Sequence, residues 1–333
     1  MIKVYAIPDN PAGDYNACSY IRLLNPLKEL ERQGKIKLTI SKNWKDGKNC
    51  DVFYLQRLCC LNFEVDSALE LIAFCRENKK KLIYELDDNL LDLDHILQKS
   101  KELVRALIRG ADTVVTTTDA LKRRLLRLNP HVVVIPNALF SEQIGSHTAV
   151  PRHGKIKIGY MGTYSHTGDL QMVLLPLVQI LKKYADLVEF ELMGVATDMG
   201  LLQILPNVNV ISISGRDHYP RFWKWVQAEV DWDIGIAPLK LTGFTVCKSD
   251  IKFLDYAAMN CCGVFSNHPA YNSTVRHLEN GMLADNTAEA WYENMERLIL
   301  DQDLRERLSV RAREELLNGR LLETNLGRWE NLL

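Results

Sequence analysis

Short apolar runs alternate with helix-patterned stretches along this chain, and that alternation leaves few folds open. In the first half IKVYAI (2–7), IKLTI (36–40), DVFYLQ (51–56), KLIYEL (81–86), DTVVTTT (112–118) and HVVVIPN (131–137) read as strands. Between them 15–33, 65–78, 95–109 and 119–128 carry helical periodicity. Strands that alternate with helices belong to a parallel sheet, because a parallel connection needs a crossover long enough to hold a helix. The second half repeats the plan with KIKIGYMG (155–162), EFELMG (189–194), VNVIS (208–212), WDIGIAPL (232–239) and CGVFSN (262–267). Asp169 is placed to cap the helix after the first of these, in which Leu170, Val173, Leu174, Leu177, Val178, Leu181 and Tyr184 recur at helical spacing. Further helices are expected over 288–300, 304–317 and 321–332, the last carrying Trp329.

Two such series need two cores, and 333 residues suit two domains of ordinary size. The segment SEQIGSHTAVPRHG (141–154) loses periodicity and gathers Gly, Pro, Ser and His, so it reads as a linker between an N-terminal domain at 1–140 and a C-terminal one at 155–318. The balance of 41 basic against 42 acidic residues supplies no overall field toward nucleic acid or an anionic membrane, and no nucleic-acid partner is expected. No apolar stretch approaches the roughly 20 residues needed to span a bilayer. The opening MIKVYAIPDN lacks the layout of a secretion signal, so a cytoplasmic location is expected. Eight cysteines, two pairs of them adjacent (Cys59, Cys60 and Cys261, Cys262), match no zinc or redox spacing and read as reduced core residues.

In open α/β sheets ligands bind beyond the carboxyl ends of strands, where backbone N–H groups converge on an anion. Two segments of the second half qualify. The loop from Gly159 to Asp169 holds three glycines and several hydroxyl residues, but matches neither dinucleotide nor phosphate-loop fingerprints, and an ordinary strand-to-helix turn is the alternative. After WDIGIAPL, a helix capped by Ser249 or Asp250 would set Lys248, Lys252 and Asp255 on one face, two ammonium groups for a diphosphate and a carboxylate for two ribose hydroxyls. The alternative is a solvated face with a Lys252–Asp255 pair.

The run KSDIKFLDYAAMNCCGVFSN after DIGIAPL resembles the donor-site signature of retaining GT-B glycosyltransferases. LIYELDDNL, VVTTTDALKRRL, VVVIPNAL and IKIGYMGTYSHTGDL are similar to other parts of the bacterial surface-polysaccharide members, so the likeness reaches both halves. It implies two Rossmann-like doubly wound parallel-sheet domains facing across a cleft, with 319–333 crossing back to the N-domain. It further implies transfer of a hexose-type sugar from a nucleoside-diphosphate sugar to a glycan or lipid-linked acceptor, with retention and without cofactor or metal. Rival readings are a nucleotide-sugar 2-epimerase and a non-catalytic sugar-nucleotide-binding protein.

Carried over by residue, the likeness puts Lys248, Lys252, Gly162 and Thr163 at the donor diphosphate, Asp255 at the ribose and Arg216 at the nucleobase. Many members have a glutamate where this chain has Cys247, so backbone groups of Thr245, Val246 and Cys247 are candidates for the donor sugar. Asp87 and Asp88, at the end of the fourth strand, would act with Lys252 in catalysis by orienting the acceptor hydroxyl or stabilising the cation; a turn-forming acidic pair is the alternative. The loop with Gly13, Asp14 and Tyr15, and Arg22 on the helix after it, would line the acceptor side. Lys122, Arg123, Arg124 and Arg127 form a basic cluster for peripheral contact with the inner membrane face, unless they are simply a solvated helix face.

Overall fold

The computed structural model describes residues 1–9, 15–60, 63–93, 96–144, 154–163, 166–194, 204–213 and 218–333. The chain divides into two compact units, one of Met1–Phe140, Val246–Ser249 and Leu321–Leu333, the other of Ser141–Thr245 and Asp250–Arg320.

The first unit is built on a six-stranded sheet of β1 (Ile2–Ile7), β2 (Ile36–Ile40), β3 (Val52–Gln56), β4 (Lys81–Glu85), β5 (Thr113–Thr116) and β6 (Val132–Val134), in the order β2-β1-β3-β4-β5-β6. All its pairings are parallel. The chain steps outward from β1 to β2, then returns past β1 to β3, so the winding reverses between β1 and β3. Every residue of β3 is buried, as expected of a strand covered on both faces.

The helical region after β1 is interrupted by one π turn, Tyr20–Leu24, between Ala17–Ser19 and Asn25–Arg32. Pro26 explains it: proline offers no N–H and its ring crowds the carbonyl four residues back, and the Asn25 N–H reaches Tyr20 instead. Within this unit the C-terminal segment folds as two short helices, Leu322–Asn325 and Gly327–Glu330, rather than the single one expected over 321–332. Trp329 is wholly buried there and donates from Nε1 to the Arg22 carbonyl at 3.2 Å.

The second unit carries β7 (Ile156–Met161), β8 (Val188–Met193), β9 (Val208–Ile211), β10 (Ile234–Ala237), β11 (Cys262–Ser266) and β12 (Met282–Ala284), in the order β12-β11-β10-β7-β8-β9 and again all parallel. Its winding reverses between β7 and β10. All eleven expected strands form; β12 and the helix Tyr219–Glu229 are additions that the pattern did not announce. The helix after β7 departs from expectation. It begins at Thr167, so Asp169 lies inside its first turn rather than capping it, and it is interrupted at Val173 between Thr167–Met172 and Leu174–Lys183. Pro176, early in the second piece, cannot donate a continuing hydrogen bond.

Gly159 is a packing glycine on β7, not part of a phosphate loop. A Cβ there would lie 1.8 Å from the ring of Trp232, a wholly buried indole whose Nε1–H is held by Glu191 at 2.8 Å. All eight cysteines are free thiols, and all but Cys18 are buried. No helix among the described residues is long and apolar enough to cross a membrane.

Candidate functional site

A winding reversal leaves a crevice at the carboxyl edge of a parallel sheet, because the two crossovers beside it lie on opposite faces. Each unit has one, and each gathers ionisable groups there.

In the first unit β1 runs into Asp9, β3 into Arg57, and β4 into Asp87 and Asp88. Arg57 is the hub: its Nε lies 3.2 Å from Asp9 Oδ2, and its Nη1 3.1 Å from Asp87 Oδ1 and 3.9 Å from Asp88 Oδ2. Lys248 joins at 3.6 Å from Asp88 Oδ1. Burial works against the Arg57 charge, but Asp87 and the neighbouring Cys18, Asp9 and Asp88 hold its pKa well above the ordinary value. Arg57 has a φ of +47°, unusual for a residue with a side chain, and its carbonyl is pinned by the Tyr84 hydroxyl at 2.7 Å. Asp9 is 3% exposed; burial raises its pKa while Arg57 and Asn16 pull it down, and its Oδ1 has no hydrogen-bond partner among the described residues.

Other residues expected on this side are placed differently. Gly13 and Asp14 lie outside the described residues. Tyr15 packs edge-on against Tyr20, with ring centroids 6.2 Å apart. Arg22 does not line an acceptor surface: it is 1% exposed and bound to Glu85 at 2.8 Å, the Ile135 carbonyl at 2.7 Å and Asn137 at 3.2 Å. Cys247 is 1% exposed within the apolar core of the first unit, and its carbonyl accepts from the Thr118 hydroxyl at 2.9 Å. Its side chain therefore offers nothing to a sugar. The partly buried Val246 packs against the same core. The backbone contact expected of Thr245 is also taken, since its N–H donates to Thr242 Oγ1 at 3.1 Å.

In the second unit β7 leads to Gly162 and Thr163, and β10 to Leu239 and Lys240. Gly162 cannot serve a phosphate through its N–H, which donates to the Met193 carbonyl at 3.0 Å, though its missing side chain keeps the backbone approachable. The Thr163 carbonyl accepts from the His166 N–H at 2.9 Å. The helix bearing Lys252 and Asp255 begins at Ile251, so Lys248 precedes it and the expected three-residue face does not form. Neither expected cap acts as one. Asp250 stands at the N-cap position but spends its carboxylate on Arg320, at 2.7 and 2.8 Å, and on Thr274 at 2.6 Å, while Ser249 accepts from Asn137 at 2.8 Å.

Lys252 and Asp255 do stand together, one turn apart. The Lys252 ammonium donates to the Met161 carbonyl at the end of β7 and lies 5.9 Å from the centre of the Tyr160 ring. Asp255 is half-buried; its carbonyl accepts from the Met259 N–H at 3.1 Å, while its carboxylate has no hydrogen-bond or ion-pair partner among the described residues. Desolvation pushes its pKa up to about 7, with Lys252 pulling the other way.

Two residues here were not singled out in the sequence. Lys240 has its N–H held by Asp169 Oδ1 at 2.9 Å, and its ammonium folds against Gly168, where a Cβ would lie 3.2 Å from Nζ. Asp169 Oδ2 also meets His166 Nδ1 at 2.8 Å. His268, two residues past β11, is 1% exposed. The signal that could have found them was topological, since only the strand order shows that the end of β10 lies beside the end of β7.

Arg216 lies outside the described residues. Of the basic cluster, Arg123, Arg124 and Arg127 are exposed and Lys122 is half-buried, with Arg124 paired to Asp92 at 2.9 Å. No group of three metal-ligating side chains occurs among the described residues.

No protein-family model matches the sequence, and no curated protein matches it. Solved structures do match. Over its whole length the chain is similar to sucrose-phosphate synthase from Thermosynechococcus elongatus, at 12% identity and a TM-score of 0.73 over 98% of that chain. It is likewise similar to HepE of Anabaena in complex with UDP-glucose, at 12% identity and a TM-score of 0.71, with both chains fully covered. Against TarM, at 15% identity and a TM-score of 0.61, 84% of this chain aligns and spans only 54% of the longer protein. At these identities the likeness is one of fold: two six-stranded parallel sheets with flanking helices, matching the two-domain, Rossmann-like GT-B fold.

Proposed function

We propose that this protein is a glycosyltransferase that takes a hexose-type sugar from a nucleoside-diphosphate sugar, with UDP as the leading candidate base carrier. The observation that carries the reading is at the β7/β10 reversal. There a lysine is fixed at the end of β7, and one helical turn further on stands a half-buried carboxylate with no hydrogen-bond partner among the described residues. A desolvated carboxylate is costly unless a ligand supplies donors, and two vicinal ribose hydroxyls do so. Similar folds solved with UDP-glucose support the choice of donor.

The chemistry follows from charge. Cleavage of the anomeric C–O bond leaves negative charge on the β-phosphate, and a preplaced ammonium stabilises it more in the transition state than in the ground state. Lys252 takes this role, with Lys240, whose ammonium folds against Gly168, as the second cation. Lys248, tied to Asp88, belongs instead to the acceptor side. There Asp87 and Asp88, oriented by Arg57, receive or polarise the acceptor hydroxyl of a glycan or lipid-linked molecule, and the product retains its anomeric configuration. We further propose work in polysaccharide or glycoconjugate synthesis, with the exposed arginines of the basic helix touching anionic lipid. Arg123→Glu with Arg127→Glu should then lower binding to phosphatidylglycerol vesicles, and unchanged binding would remove that contact.

Thermal-shift measurements against UDP, GDP, ADP and their sugars should show stabilisation by one nucleotide family. Lys252→Ala should then lower transfer by roughly 100-fold or more at an unchanged melting temperature. Near-wild-type turnover in that variant would refute the assignment.

A further inference from the structure

His268 is a buried, tautomer-fixed hydrogen-bond donor that meets no acceptor among the described residues. Its Nδ1 accepts the Ala270 N–H at 3.1 Å, which leaves the ring proton on Nε2. Burial lowers the imidazole pKa, with Asp169 pulling it back, so the neutral form with one donor is the form present at pH 7. Nε2 is enclosed and has no hydrogen-bond partner among the described residues. A donor left in that state costs free energy that an incoming oxygen recovers.

The surroundings select the oxygen. Asp169 holds the Lys240 N–H just past β10, the strand between β7 and β11, so Asp169 and His268 share the carboxyl edge of this sheet, and Asp169 pulls the His268 pKa back up. Each Asp169 oxygen has one described partner, the Lys240 N–H or His166, and keeps a lone pair. A phosphate oxygen only accepts, and beside this carboxylate it would be repelled. A sugar hydroxyl both accepts and donates, so it satisfies Nε2–H and a carboxylate lone pair together. We infer that His268 Nε2–H, with Asp169, holds a hydroxyl of the transferred sugar and so helps to select the donor. This rests on the donor reading above and extends it to sugar recognition, for which Cys247 provides no side chain.

Asparagine and glutamine divide the two nitrogens. His268→Asn keeps an acceptor near Nδ1 for the Ala270 N–H and removes the Nε2 donor, whereas His268→Gln keeps a donor near Nε2. In calorimetric titrations of the whole chain, His268→Asn should bind UDP within twofold of wild type and UDP-glucose about tenfold more weakly, with His268→Gln recovering most of that loss. In the wild-type protein the Nε2–H proton should exchange more slowly with solvent when UDP-glucose is added, and should not respond to UDP; this readout holds even where a variant folds poorly. Equal loss of UDP and UDP-glucose would make the contact a phosphate one and overturn the inference. Undiminished UDP-glucose binding by His268→Asn would overturn it as well, while leaving the donor reading intact. Wild-type protein that binds neither UDP nor UDP-glucose would overturn this inference, and wild-type protein that also binds no other nucleotide of the thermal-shift panel would sink the donor reading with it.

Discussion

A carboxyl group whose pKa is pushed up to about 7 works against its own fold at neutral pH. For Asp255 the reasoning is direct. Below pH 4 it is protonated in both states and costs nothing. As pH rises through the unfolded value the unfolded chain ionises first, so stability falls, and the full cost is present above pH 7. The partial exposure of Asp255 discounts the simple conversion, leaving a cost of about 1–3 kcal/mol. Asp255→Asn should therefore be more stable than wild type at pH 8 by that amount and no more stable at pH 4, as denaturant titrations at both pH values would show. The same change should weaken nucleotide binding at least tenfold, because an amide offers one neutral acceptor oxygen where the carboxylate offers two charged ones. In wild type, affinity for UDP should weaken as pH falls below 7; a flat profile would mean that Asp255 does not meet the ribose. Sequence spacing sufficed to pair Lys252 with Asp255, since a turn of helix is a local object. It misplaced Lys248, whose partner Asp88 is 160 residues away along the chain.

Among the elements, β7 is constrained by a neighbour more than by its own sequence. Its Gly159 admits the Trp232 indole to within a distance that no Cβ tolerates, and the indole cannot retreat while Glu191 holds its Nε1. Gly159→Ala should destabilise the second unit by about 3 kcal/mol through overpacking, measured by denaturant unfolding. A change below 1 kcal/mol would show that the ring has room to move. This is also where sequence reading reaches its limit. The strands were legible because alternation of apolar runs with helices is periodic and local, whereas the reason for a glycine within GYMG is a tryptophan 73 residues later. The helix Tyr219–Glu229 was missed because aromatic residues crowd it and its burial is decided by tertiary packing. The reversals at β1/β3 and β7/β10, which locate both candidate sites, are properties of strand order and have no signature in any one segment.

At the scale of the molecule, the end of the chain completes the core of its beginning. Trp329 lies with its ring 5.6 Å from the Arg22 guanidinium, its Nε1–H bonded to the Arg22 carbonyl, and Arg22 holds Glu85 in a pair shielded from water. Burial raises the Glu85 pKa against the pull of Arg22, so the pair depends on a neighbour that keeps water out. Trp329→Ala removes a wholly buried ring and should cost about 3–5 kcal/mol. Because the lost ring also opens a route for water, the Glu85 pKa should fall toward the ordinary carboxylate range, which carbon-detected titration of the side chain would follow. Amide exchange should accelerate at β4, which carries Glu85, and at β3 and β5, which flank it in the sheet. Trp329→Phe keeps most of the apolar volume and loses only the hydrogen bond, so its cost should stay near 1 kcal/mol with Glu85 still elevated. If both variants lowered the Glu85 pKa equally, the indole N–H rather than the bulk of the ring would be what seals the pair.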